Sequence, residues 1–315
     1  MQNRKFPVYL IFSSVLILYS CSNQSPTENN EEDFDLQQIV DQVNRDSLQK
    51  YVKQLSGILP VTLGSRRDTI RSRHKDYPGN DKAAEFIHQK LASFSIEVFD
   101  QIFSSSGRNI YGLQQGFNFP EQYYIICAHY DSMPDSSISP GADDNASGIA
   151  TVLEAARILS NYDPNYSIIY ALWDEEEQGL IGSFYFAGNA KQNDQNIVGV
   201  INIDMIGWDS NNDGRFWVNV RDTANSVHIS DRMVSLHQYY SIGLAPQVLN
   251  PGSGSDNIAF WYFGYSAIGV EEMYGEDWND YYHTTEDNLD KFNLNYFHKC
   301  SQLIITTLAS LAEIN

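Results

Sequence analysis

Cysteine and positive charge are what this chain has least of. Three cysteines in 315 residues exclude a disulfide-stapled scaffold, and no CxxC pair offers a redox or zinc-ribbon motif. Only 20 lysines and arginines stand against 40 aspartates and glutamates, giving a net charge of -20 and a pI near 4.5. A surface this negative repels phosphate backbones and anionic lipid, which rules out nucleic acid as a partner. HExxH, GxSxG and Walker motifs are missing as well, so single-helix zinc proteases, serine hydrolases of the elbow type and P-loop enzymes are set aside. Gly252-Ser253-Gly254-Ser255-Asp256 imitates a phosphate loop, but it lacks the lysine and places an aspartate where phosphate would be repelled; it reads as a flexible loop. No internal repeat is found.

Long apolar runs are scarce too. The longest, Phe6 to Tyr19, follows Arg4 and Lys5, is too short for a comfortable membrane span, and reads as an export signal. Leu18-Tyr19-Ser20-Cys21 resembles a bacterial lipoprotein box, which makes Cys21 the lipidated first residue of the mature chain and the one contact with a membrane. Loss of Arg4 and Lys5 leaves a mature charge of -22. The expected organisation is a signal peptide over 1–20, a lipid-bearing Cys21 with a polar tether over 21–32, and one domain over 33–315. Cys127 and Cys300 then read as buried free thiols, although a disulfide between them stays open.

What is present argues for a folded enzyme. Aromatic residues make up 13% of the chain, far above what a disordered segment of this charge carries. Leu36, Ile39, Val40, Val43, Leu48, Val52 and Leu55 form one helical stripe stopped by Gly57 and Pro60. A second helix is expected over about 81–93 with Asn80 as its cap. Strands are expected at 96–103, 109–113, 123–128, 168–173, 197–203 and 216–220, and further helices at about 146–159, 226–240 and 293–312. This alternation predicts an α/β fold with a parallel or mixed sheet covered on both faces.

Acidic and histidine clusters follow the strands, where open α/β sheets assemble sites. His129-Tyr130-Asp131 follows 123–128, Asp174 to Glu177 follows 168–173, and Asp204 closes 197–203. Two more lie in loops, Asp143-Asp144-Asn145 and His283. Singly, each is explained by capping, solvation or ordinary hydrogen bonding. Together they suit zinc, which takes imidazole nitrogen and carboxylate oxygen and leaves a position for water. Two histidines and three carboxylates serve two ions if one carboxylate bridges, and a further carboxylate is then free to carry protons.

Ala128-His129-Tyr130-Asp131-Ser132, Gly141 to Gly148, Glu176-Glu177-Gln178-Gly179-Leu180-Ile181-Gly182-Ser183, Asn202-Ile203-Asp204-Met205 and Tyr282-His283-Thr284 resemble, in order and spacing, the motifs of the co-catalytic zinc aminopeptidases, metallopeptidase family twenty-eight. With Ser72-Arg73-His74 and Pro78-Gly79-Asn80 the resemblance spans about residues 66 to 312. It implies a three-layer sandwich around a mixed, mostly parallel sheet of about eight strands, and two zinc ions per chain. Asp143 would bridge them, His129 and Asp204 would complete one shell, and Glu177 and His283 the other. Glu176 would be the general base, Asp131 would orient His129, and the Asp143-Asp144 bond would be cis. The substrate would be a peptide with a free N-terminus, its ammonium group met by Asp256, Glu271 or Glu272. Trp261 to Tyr265, Tyr274, Trp278, Tyr281 and Tyr282 would shape an apolar pocket. Rival readings are a single-zinc glutaminyl cyclase on the same fold, a carboxypeptidase with Arg215 or Arg221 as clamp, and a non-catalytic peptide-binding lipoprotein. Oligomeric state is not legible.

Overall fold

A computed structural model describes residues 30–314; the expected signal, Cys21 and most of the tether lie outside the described residues. In chain order the elements are α1 (Asn30–Gln42), α2 (Arg45–Leu55), β1 (Val61–Leu63), β2 (Arg66–Asp68), α3 (Pro78–Ser93), β3 (Glu97–Ile102), β4 (Arg108–Gln114), β5 (Phe119–His129), α4 (Gly148–Leu159), β6 (Tyr166–Trp173), α5 (Ile181–Gln192), β7 (Asn196–Asp204), β8 (Arg215–Asn219), α6 (Ser226–Tyr239), β9 (Ala245–Leu249), α7 (Asn257–Tyr262), β10 (Ala267–Glu272) and α8 (Leu294–Leu311). Among the described residues no helix is long and apolar enough to cross a membrane.

An 8-stranded mixed sheet in the order β3-β4-β6-β5-β7-β10-β8-β9 forms the middle layer. Its four central strands, β6, β5, β7 and β10, run parallel, while β4 and β8 are antiparallel to their inner neighbours. Buried strands of this kind are apolar on both faces. Ile126 and Ala128 pack into the core shared with α1 to α4, α6 and α8, whereas Ile125 and Cys127 face α5 and α7. Helices therefore cover both faces, giving three layers. Cys127 and Cys300 are free and buried in these two separate cores.

Two expectations about the first helices need correction. The stripe from Leu36 to Leu55 is two helices, because the Asn44 side chain accepts a hydrogen bond from Ser47 N at 2.9 Å and starts α2 afresh. The next helix begins at Pro78, which sits in the first turn where a missing N–H costs nothing. Asn80 is consequently inside α3 rather than capping it, and its amide donates to Arg73 O at 2.9 Å and Asp174 Oδ1 at 2.8 Å.

Candidate metal centre

The parallel strands deliver their carboxyl ends to one edge of the sheet. His129 ends β5, Asp204 ends β7, Glu271 and Glu272 end β10, and the loop after β6 carries Asp174 to Glu177. Two further segments cross this edge, the irregular turn 142–147 that leads into α4, and the loop bearing His283.

At the centre lies Asp144. Its Oδ1 is 3.1 Å from His129 Nε2, which is also 3.3 Å from Asp204 Oδ1. Its Oδ2 is 3.0 Å from His283 Nε2, which is 2.9 Å from Glu177 Oε2. The ligand atoms of His129, Asp144 and Asp204 all lie within 4.8 Å of one another, and so do those of Asp144, Glu177 and His283. Asp144 is common to both triads. The carboxylate placed to serve both triads is Asp144, where Asp143 was expected, and the cis peptide bond is Asp144-Asn145 rather than Asp143-Asp144.

Asp143 is engaged elsewhere. Its Oδ1 accepts from Gly207 N at 2.8 Å and its Oδ2 from Asn279 Nδ2 at 3.1 Å. Burial pushes its pKa up to about 6, and that of Glu272 rises well above the usual range because of burial and then Asp143, which it faces behind the centre. Glu272 Oε2 also accepts from Trp208 N at 2.9 Å. Glu272, expected as a partner for the substrate's ammonium group, is thus engaged with Asp143 and Trp208 N.

The turn that aims Asp144 is held from two sides. Asp287 accepts from Asp143 N at 3.0 Å and from Asp144 N at 3.1 Å. Arg73, fully buried, donates to the carbonyls of Tyr130, Leu55, Pro140 and Gly141 at 2.7 to 2.9 Å. Burial lowers its pKa to about 10, against the upward pull of Asp287 and Asp144. Gly141 has φ +47°, and a Cβ there would meet Asp144 O at 2.3 Å, so only glycine lets the turn close this tightly. The sequence alone assigns no role to Arg73 or Asp287; Asp287 stands four residues after His283, and Arg73 lies in the Ser72-Arg73-His74 segment.

Asp131 is fully buried and 3.4 Å from His129 Nδ1. Its two oxygens accept from the backbone N–H groups of Glu176 and Glu177, both at 3.1 Å. One carboxylate thus positions the His129 ring and the loop that carries Glu176 and Glu177. Glu176 is half-buried. Burial raises its pKa well above the ordinary carboxyl range, with His129 opposing and Asp204, Asp256 and Asp131 adding to the rise.

The donor chemistry fits a pair of zinc-type cations. Burial pushes Glu177 up to about 8, and nearby Asp144 adds to this. Asp144 is raised by burial but held below the usual range by His129 and His283 together. Glu177 Oε1 is buried without a hydrogen-bond partner, and the Nε2 atoms of His129 and His283 each face two carboxylate oxygens. Carboxylates packed this closely need cations to stay ionised, and two imidazoles do not supply enough.

Asp256, fully buried, has both oxygens without a hydrogen bond, and burial pushes its pKa up to about 7. Tyr282 stacks on His283 with ring centroids 3.7 Å apart. The proposed carboxylate clamps are occupied: Arg215 pairs with Glu276 at 2.6 Å, and Arg221 donates to Gly252 O and lies over the Trp261 ring.

The sequence profile of peptidase family M28 matches residues 109–308. The chain belongs to peptidase family M28. A probable zinc metalloprotease of Pyrenophora teres f. teres is 31% identical over 204 residues, covering 59% of this chain and 44% of the fungal one. Aminopeptidase YwaD of Bacillus subtilis is 24% identical over 327 residues, 92% of this chain and 69% of its own. The chain thus spans about half the length of the fungal relatives. The Legionella pneumophila LapA aminopeptidase superposes with a TM-score of 0.76 at 19% identity, covering 92% of this chain and 78% of that one. A Bacteroides thetaiotaomicron glutaminyl cyclase superposes at 0.68 with 19% identity, covering 84% and 97%. These structural likenesses carry the mixed-sheet, three-layer fold, which this M28 chain shares with hydrolase and cyclase alike.

Proposed function

We propose that this M28 chain is an exported, zinc-dependent exopeptidase that removes N-terminal residues from peptides. The observation that carries the reading is the sharing of Asp144 between two donor triads, which suits two cations where a cyclase needs one. His129, Asp144 and Asp204 would hold one zinc, and Asp144, Glu177 and His283 the other. Zinc supplies Lewis acidity there, acidifying water and polarising the scissile carbonyl.

The remaining work falls to the chain. Glu176, its pKa raised by burial and neighbouring carboxylates, takes the proton of the attacking water and returns it to the leaving amine. Asp131 holds Glu176 at its backbone N–H, so proton carrier and His129 keep a fixed spacing. No serine or cysteine nucleophile is needed. The acidic surface favours a substrate that carries a free ammonium group.

The test is metal analysis combined with activity on free and N-acetylated aminoacyl anilides, before and after chelation. Two zincs per chain and cleavage of the free-amine substrates alone support the reading; one zinc with cyclisation of N-terminal glutamine hands it to the cyclase alternative. Export through a lipid on Cys21 belongs to the same proposal. It predicts fatty-acid labelling of the full chain in a bacterial host, abolished in Cys21→Ser, and labelling of neither protein contradicts it.

A further inference from the structure

Glu271 is where the centre meets a feature the peptidase reading does not use. It pairs in register with Asp204 on one side and Trp217 on the other. Residues in register leave a sheet on the same face, so Glu271, Asp204 and Trp217 stand side by side on the metal-ligand face. Asn219, one pleat back on β8, shares that face through its pairing with Gly269. Glu271 is only 3% exposed. Its Oε1 makes no hydrogen bond of ordinary length, and the Asn219 Nδ2 that faces the carboxyl makes none either. An acceptor left unmatched in such a place is costly unless a ligand completes it.

The approach to Glu271 is aromatic. Trp217 meets Tyr274 at 5.5 Å between ring centroids, Tyr274 meets Trp278 at 5.8 Å, Trp278 meets Tyr282 at 5.4 Å, and Tyr282 stacks on His283. These rings form a continuous wall from the strand flanking Glu271 to a ligand of the centre. By sequence alone such rings suggest an apolar pocket. With a buried carboxylate at one end the same wall suits a long apolar stem tipped by a cation, which gains from both the ring faces and the anion.

We propose that Glu271 and the wall formed by Trp217, Tyr274, Trp278 and Tyr282 receive the side chain of an N-terminal lysine or arginine, making the enzyme selective for peptides that begin with a basic residue. The inference rests on the N-terminal exopeptidase reading and names the substrate class for it. Norleucine has the lysine stem without the ammonium group, so the pair isolates the charge.

The experiment measures kcat/KM of the zinc-loaded full chain on lysyl and norleucyl anilides, and calorimetric binding of free L-lysine and L-norleucine, for the wild type and Glu271→Gln. The expected result is a lysine preference of at least about tenfold in the wild type, lost in Glu271→Gln. Norleucine handled as well as lysine by the wild type overturns the pocket while leaving the exopeptidase reading intact, and this comparison needs no variant to fold. An equal fall for both substrates in Glu271→Gln also overturns it, because Glu271 would then hold the α-ammonium group. Glu271-dependent binding of lysine without hydrolysis of any substrate supports the pocket and sinks the exopeptidase reading instead.

Discussion

Arg73 offers the sharpest test of how the centre is held. Its guanidinium is fully buried and donates to four backbone carbonyls, Tyr130, Leu55, Pro140 and Gly141, with Asp144 O a longer contact at 3.4 Å. Arg73→Met fills much of the volume and removes every one of these donors. Each lost bond to a charged donor is worth about 1.5 to 3 kcal/mol. Against that, relief of the buried charge recovers several kcal/mol. The net expectation is a loss of about 4 kcal/mol, within the range for removing one partner of a buried ionic network. Because the Pro140 and Gly141 carbonyls lead into the turn that aims Asp144, zinc affinity should fall by about tenfold or more alongside. Urea unfolding with a shared m-value reads the first quantity, and competition with a chelating dye the second. Arg73→Lys, which keeps the charge but cannot reach four carbonyls, should fall between. A loss under about 1 kcal/mol for Arg73→Met, with unchanged zinc affinity, would refute the reasoning.

Two other predictions concern the centre itself. Glu176→Gln should keep its full zinc content and lose at least about 3 kcal/mol of transition-state stabilisation, roughly a hundredfold in kcat/KM; near-normal turnover would remove Glu176 from its role. Chelation should expose the crowding of carboxyls. Glu177 at about 8, Asp256 at about 7 and Asp287 at about 8 all lie above their unfolded values, so their contribution is present below the ordinary carboxyl range and lost as pH rises through those values. The raised His283, at about 10, acts in the same sense over the higher part of that range. Metal-free protein should therefore have a lower urea midpoint at pH 8 than at pH 5, and zinc should restore it at pH 8. A metal-free protein that gains stability over that range would contradict this.

Strands that end in site residues were legible because the buried parallel strands are short apolar runs closed by a polar residue, as in Ile197 to Asp204. The elements missed break that pattern. β9 carries Pro246 and Gln247, β10 ends in two carboxylates and so reads as a loop, and α5 holds Gly182 and Gly188, which dilute its helical signal. The choice between Asp143 and Asp144 was not available from sequence, since adjacent carboxylates suit the motif equally. It is made by distant groups: Asp287 holds both backbone N–H groups, while Gly207 and Asn279 occupy the Asp143 side chain and leave Asp144 facing the histidines. Glu271 and Glu272 are neighbours in the chain with opposite surroundings for a simpler reason. Successive residues of a strand face opposite sides of the sheet, so one stands beside Asp204 and the other beside Asp143.

The most direct measurement is zinc stoichiometry of Asp144→Asn beside Asp143→Asn, each purified folded and dialysed against the same buffered zinc. A carboxylate common to both triads predicts that Asp144→Asn loses both ions while Asp143→Asn still binds two. Retention of two zincs by Asp144→Asn, with their loss from Asp143→Asn, would contradict the arrangement on which the proposed chemistry stands.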